Sequence, residues 1–130
     1  MSNKLKAGVV GVGSMGWNHA RIYSELDNAE LAAIYDANTA AAEKAVRKFG
    51  GTVATSLDDI IARCDAVSVA APTNLHHEIV MKLLGAGRHV LVEKPIAENP
   101  EQAAEMSDLA RDRGLVLQVG HIERFNPALD

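Results

Sequence analysis

A chain of 130 residues in which 48% are hydrophobic has enough apolar content for one real core, so a single folded domain rather than a disordered chain is expected. Its 13 basic and 17 acidic side chains give a net charge of -4 with no Lys/Arg cluster, which argues against nucleic acid or another polyanion as partner. One cysteine, Cys64, rules out an internal disulfide and a cysteine-built zinc site, and no apolar run approaches the roughly 20 residues of a membrane span; the expectation is a soluble, cytoplasmic protein with no membrane partner.

Apolar runs alternate with longer helix-period segments along the chain, the pattern of a parallel sheet joined by crossover helices. The first strand is expected over residues 6–12 and the first helix over 14–26. A second strand over 31–35 ends on Asp36. Asn38 or Thr39 then caps a helix whose apolar face runs Ala42, Ala45, Val46 and Phe49, and Gly50 and Gly51 stop it. A short third strand over 52–54 leads to Ser56, with Asp59 three residues on, a variant of the capping box before a helix over 57–63. The fourth strand, 66–71, is almost wholly apolar and therefore central, and Pro72 ends it. A helix over 75–84 and a strand over 89–93 follow. Asn99, Pro100 and Gln102 make a clear helix start, with Asn as the cap and Pro at the first helical position. That helix runs to Gly114, and a sixth strand occupies 115–119.

Six strands with crossover helices make a complete α/β doubly wound sheet, a Rossmann fold with expected order 3-2-1-4-5-6 over residues 1–120. Residues 121–130 lose the alternation and read as the start of a crossover to a further domain.

The first turn carries Gly11, Gly13 and Gly16 in a G-x-G-x-x-G spacing between a strand and a helix. In that context Gly11 permits the tight turn, Gly13 lets backbone approach a pyrophosphate, and Gly16 lets the helix pack on the strand. Ser14 and Met15, at the helix start, bring N–H groups and the positive dipole end to the phosphates. Asp36 follows Gly11 by 25 positions, near the spacing at which a carboxylate meets the adenosine ribose and repels a 2′-phosphate. The expected cofactor is therefore NAD, with NADP disfavoured; the other reading of Asp36 is a helix-initiating turn residue. S-adenosylmethionine is a third possibility, because methyltransferases also use a glycine loop and an acidic strand end.

Ala71, Pro72, Thr73 and His76 lie at the carboxyl end of the fourth strand, beside the switch point where such folds bind ligands. They are candidates to line the cofactor groove, though Thr73 can equally be a helix cap and His76 a surface histidine. Glu93, Lys94 and Pro95 close the fifth strand on the same edge. A lysine there can hydrogen-bond a substrate hydroxyl and steady the alkoxide as hydride leaves; a solvated Glu-Lys pair is the plainer alternative. His19 and Tyr23, four apart on one helix, can pair or pack. Trp17 is read as a partly exposed packing aromatic, Cys64 as unreactive, and no set of side chains has metal-ligand spacing.

The glycine loop, Asp36, Pro72-Thr73-x-x-His76, the run ending in Glu93-Lys94-Pro95, and Gly120-His-Ile-Glu-Arg-Phe-Asn-Pro127 together resemble the N-terminal domain of the glucose-fructose oxidoreductase and inositol dehydrogenase (Gfo/Idh/MocA) family. The resemblance spans nearly the whole chain. It implies NAD(P)-dependent oxidation or reduction of a hydroxyl on a sugar, nucleotide sugar or cyclitol, with Lys94 at the nicotinamide and substrate and Glu93 beside the cofactor. The last motif is similar to that of UDP-N-acetylglucosamine 3-dehydrogenases and implies Arg124 and Asn126 as substrate contacts, although Arg124 can equally anchor a domain junction. The family's substrate domain, which usually forms the homo-oligomer interface, has no counterpart here, so the chain reads as a fragment or a shortened form. A non-catalytic NAD(H)-sensing or interaction module is the alternative function.

Overall fold

A computed structural model describes residues 4–120. In chain order the elements are β1 (Leu5–Val10), α1 (Ser14–Glu25), β2 (Ala29–Tyr35), α2 (Thr39–Phe49), β3 (Thr52–Val53), α3 (Leu57–Arg63), β4 (Ala66–Val69), α4 (Thr73–Gly85), β5 (His89–Val92), α5 (Pro100–Asp112) and β6 (Leu117–Val119). All neighbouring strands pair in parallel, and the sheet order is β3-β2-β1-β4-β5-β6, as the alternation predicts.

Strand alternation sends side chains to two helical layers. Val10, Val67, Val69, Val90 and Val92 pack with Ile60, Val80, Leu83, Leu84 and Met106 on the side of α3, α4 and α5. On the other face, Ala7, Val9, Ile34 and Leu91 pack with Ala20, Tyr23, Ala42 and Ala45 of α1 and α2. Gly8 is bare because Cys64 closes the end of α3 over it: a Cβ there would lie 2.6 Å from Cys64 Sγ. Across α1 and β4, Tyr23 and Ser68 share a buried hydrogen bond of 2.6 Å between their hydroxyls.

The caps expected at α2, α3 and α5 form: Asn38, Ser56 and Asn99 each accept a backbone N–H from the first turn. Most boundaries shift by a residue or two from the sequence reading, and some of the shifts have a visible cause. β1 ends at Val10 because the N–H of Val12 turns to the Asp36 carboxylate. β4 stops at Val69, and Pro72 caps α4, so the helix starts at Thr73 rather than Leu75. β6 begins at Leu117 because Leu115 closes the end of α5, donating its N–H to Ala110 O at 2.8 Å.

Candidate functional site

The chain order reverses between β1 and β4, and both strands run out into loops on one edge of the sheet. Doubly wound folds bind ligands at such a point. Among the described residues, the helices that follow, α1 and α4, are the two whose starts receive no side-chain cap, whereas α2, α3 and α5 are capped. First-turn N–H groups need acceptors, so the uncapped pair leaves donors at this edge. An open groove of about 660 Å³ lies there, lined among others by Gly11, Gly13, Asp36, Ala71, Pro72 and Leu75.

The three glycines of the first loop have distinct surroundings. Gly11 has φ +92°, and a Cβ on it would press within 2.9 Å of the Ala70–Ala71 backbone. A Cβ on Gly16 would fall 1.7 Å from Gly11 O, so only glycine lets α1 seat against the turn. Around Gly13 none of the described residues lies within 4 Å of the Cβ position. The space beside Gly13 is thus open to a ligand, while Gly11 and Gly16 are closed by the protein itself. Ser14 and Met15 are exposed at the start of α1, where no acidic side chain offsets the dipole.

Asp36 lines the same groove. Its Oδ2 accepts the N–H of Val12 and its Oδ1 the N–H of Asn38, both at 2.8 Å. The carboxylate thereby joins the glycine loop to the start of α2, and each oxygen retains a lone pair for another donor.

On the other side of the switch point, Thr73 is the first residue of α4, half-buried, and Pro72 is exposed. His76 departs from the groove-lining role expected of it. Its ring is 2% exposed, with Nε2 2.7 Å from Ala71 O and Nδ1 3.0 Å from Pro95 O. It lies beneath the loops after β4 and β5, between their carbonyl groups.

Beyond β5, Glu93 extends the ladder by donating its N–H to Val69 O at 3.3 Å, and Lys94 is exposed beside a cis peptide bond to Pro95. The Glu93 carboxylate meets Nε2 of His19, which reaches it from α1. His19 and Tyr23 therefore do not pair with each other: one goes to Glu93 and the other to Ser68. The one trace of the His19–Glu93 contact in the sequence is a polar residue within the inward stripe Gly16, His19, Ala20 and Tyr23 of α1. Trp17 packs edge-on against Phe49, with centroids 4.8 Å apart, and Lys44 lies 5.8 Å over its ring.

Burial foremost, and then the neighbouring Asp65 carboxylate, push the Cys64 thiol up to about 11, which keeps it protonated and a poor nucleophile at neutral pH. Arg124 and Asn126 lie outside the described residues. Among those described, no three His, Cys, Asp or Glu side chains are grouped to hold a metal ion, and no helix is long and apolar enough to cross a membrane.

A family model described as an oxidoreductase family with an NAD-binding Rossmann fold matches residues 5–121. UDP-N-acetylglucosamine 3-dehydrogenase from Acidithiobacillus ferrooxidans is 35% identical over 96% of this chain and 39% of its own length. A solved structure of that name and organism superposes with a TM-score of 0.88, covering 97% of this chain and 41% of that one. Two further structures are similar. A protein of gentamicin A biosynthesis, in complex with NAD, has a TM-score of 0.88 at 34% identity and covers 92% and 35% of the respective chains. A 3-ketoreductase from Actinomadura kijaniata, in complex with NADP and TDP-benzene, has a TM-score of 0.84 at 32% identity, covering 90% and 38%. The chain thus spans about two fifths of the length of the relatives it matches. With the matched model covering all the described strands and helices, the chain belongs to the Gfo/Idh/MocA oxidoreductase family, in its NAD-binding Rossmann domain.

Proposed function

We propose that the groove between β1 and β4 binds NAD(H). We further propose that, in a protein with the length of its relatives, this domain supports hydride exchange with a hydroxyl-bearing carbon of a sugar, nucleotide sugar or cyclitol. The observation that carries the reading is the shared edge: the open space at Gly13, the uncapped starts of α1 and α4, and Lys94 all stand at the carboxyl ends of the strands.

The residues fit a dinucleotide. Backbone N–H groups of Gly13, Ser14, Met15 and Gly16 suit the pyrophosphate, with Gly11 shaping the turn. Asp36 suits the adenosine ribose hydroxyls. No basic residue follows it between Ala37 and Ala42 to pair with a 2′-phosphate, which favours NAD over NADP. Ala71, Pro72 and Thr73 flank the nicotinamide end, with His76 holding the wall behind them.

Nicotinamide, when bound, supplies the hydride acceptor or donor. Lys94 would donate a hydrogen bond to the substrate oxygen and stabilise the negative charge that develops on it. Glu93 would meet the cofactor beside it. Arg124 and Asn126 are proposed for the substrate side, and a homo-oligomer for the longer protein. The cytoplasm is the proposed compartment, in keeping with a single, buried, free cysteine.

Lys94→Ala in a version extended by the substrate half tests the catalytic assignment. NADH affinity within about twofold of wild type together with a loss of oxidation of roughly 100-fold or more is expected. Unchanged turnover would remove Lys94 from the mechanism.

A further inference from the structure

The interior stripe of α1 contains one imidazole. His19 is 1% exposed, and its helical neighbours on that stripe, Gly16, Ala20 and Tyr23, are buried with it. Its Nε2 meets the Glu93 carboxylate, whose side chain is 12% exposed. Its Nδ1 is buried and has no hydrogen-bond partner among the described residues. A neutral imidazole has one N–H. With an acceptor at Nε2 and none at Nδ1, that proton belongs on Nε2, and the ring donates to Glu93.

An imidazole with an orphaned Nδ1 is a poor choice for packing alone, since an aliphatic side chain would fill the site without burying an unmatched lone pair. What the histidine adds is a directed bond to the residue preceding Lys94. The same helix begins at the glycine loop. Ser14 and His19 are five residues apart, so about 8 Å of rigid helix separates the turn that suits a pyrophosphate from the group that holds Glu93.

We propose that His19 is a positioning residue for the nicotinamide end of the site: by fixing the Glu93 carboxylate, it sets the Glu93–Lys94 segment at a defined distance from the glycine loop. This rests on the reading that Glu93 and Lys94 face the cofactor. His76, from the opposite helical layer, lies with its ring edge against Pro95 O, so the segment is packed from both sides of the sheet.

The test compares NADH with ADP-ribose, which has the pyrophosphate and adenosine but no nicotinamide, by titrating the full 130-residue chain. For His19→Leu the expected result is a Kd for NADH raised about five- to tenfold and a Kd for ADP-ribose within about twofold of wild type. His19→Gln, whose amide N–H can reach the Nε2 position, should bring NADH binding back to within about twofold. Should His19→Leu not fold, His19→Asn takes its place, since its shorter amide stays polar but stops short of Glu93. Equal weakening of both ligands, unchanged NADH binding, or failure of His19→Gln to restore it would each overturn the proposal. A wild-type chain that binds neither ligand would overturn the cofactor reading itself, and this inference with it.

Discussion

Val12 donates its backbone N–H to Asp36 Oδ2 at 2.8 Å, so the acidic residue at the end of β2 braces the glycine loop after β1. One carboxylate thus serves as scaffold and, on our reading, as ribose contact. Asp36→Asn should do two things. Of the two backbone donors it holds, Val12 and Asn38, one would keep only a neutral acceptor and the other would face an amide NH2, lowering stability by about 1–2 kcal/mol. The preference for NADH over NADPH should fall about tenfold, as the negative charge facing a 2′-phosphate disappears. Parallel titrations with the two cofactors check this; an unchanged ratio would place Asp36 away from the ribose.

Two glycines of the loop should respond oppositely to the same methyl group. Gly13→Ala meets open space, so its melting temperature should stay near wild type while NADH binding weakens about tenfold or more. Gly16→Ala drives a Cβ to 1.7 Å from Gly11 O, and destabilisation of roughly 1–3 kcal/mol or more is expected. Thermal melts with and without NADH separate the two effects.

Tyr23 and Ser68 are 8% and 0% exposed, and their hydroxyls satisfy each other across the interface of α1 with β4. Removing either hydroxyl orphans its partner at a cost of about 1–3 kcal/mol. The double variant Tyr23→Phe with Ser68→Ala should cost less than the sum of the singles, as a urea-denaturation cycle would show.

Cys64 and Tyr23 also make a prediction for alkaline pH. Burial raises the folded-state pKa of both, Cys64 from 9.0 to about 11 and Tyr23 from 10.0 upward. Above pH 9 the unfolded chain releases the cysteine proton before the folded chain does. Stability is therefore retained below about pH 9 and declines between pH 9 and 11. Cys64→Ala should flatten the cysteine part of that decline in urea unfolding at pH 8, 9.5 and 10.5. Native wild-type chain at pH 8 should react with iodoacetamide far more slowly than unfolded chain.

Strand order and helix caps were legible in the sequence because both depend on local pattern: alternating apolar runs, and an Asn or Ser placed just before a helical period. Strand ends were less so. At Val12, Ala71 and Leu115 a backbone group is claimed by Asp36, by His76 and by the closing turn of α5, respectively, and the first two of these partners lie on other elements. The buried histidines show the same limit. His76 stands in a motif that points to the groove, yet its ring lies below the loops, between Ala71 O and Pro95 O. For His19 the sequence offers pairing or packing with Tyr23, whereas its partner is Glu93, 74 positions away. Long-range partners of single polar side chains leave no periodic trace.

Titration of the 130-residue chain with NADH and, separately, with S-adenosylmethionine tests the central claim most directly. Saturable one-to-one binding of NADH, displaced by NAD and ADP-ribose and weakened by Gly13→Ala, is the expected result. Binding of S-adenosylmethionine alone, or of neither ligand, would contradict it.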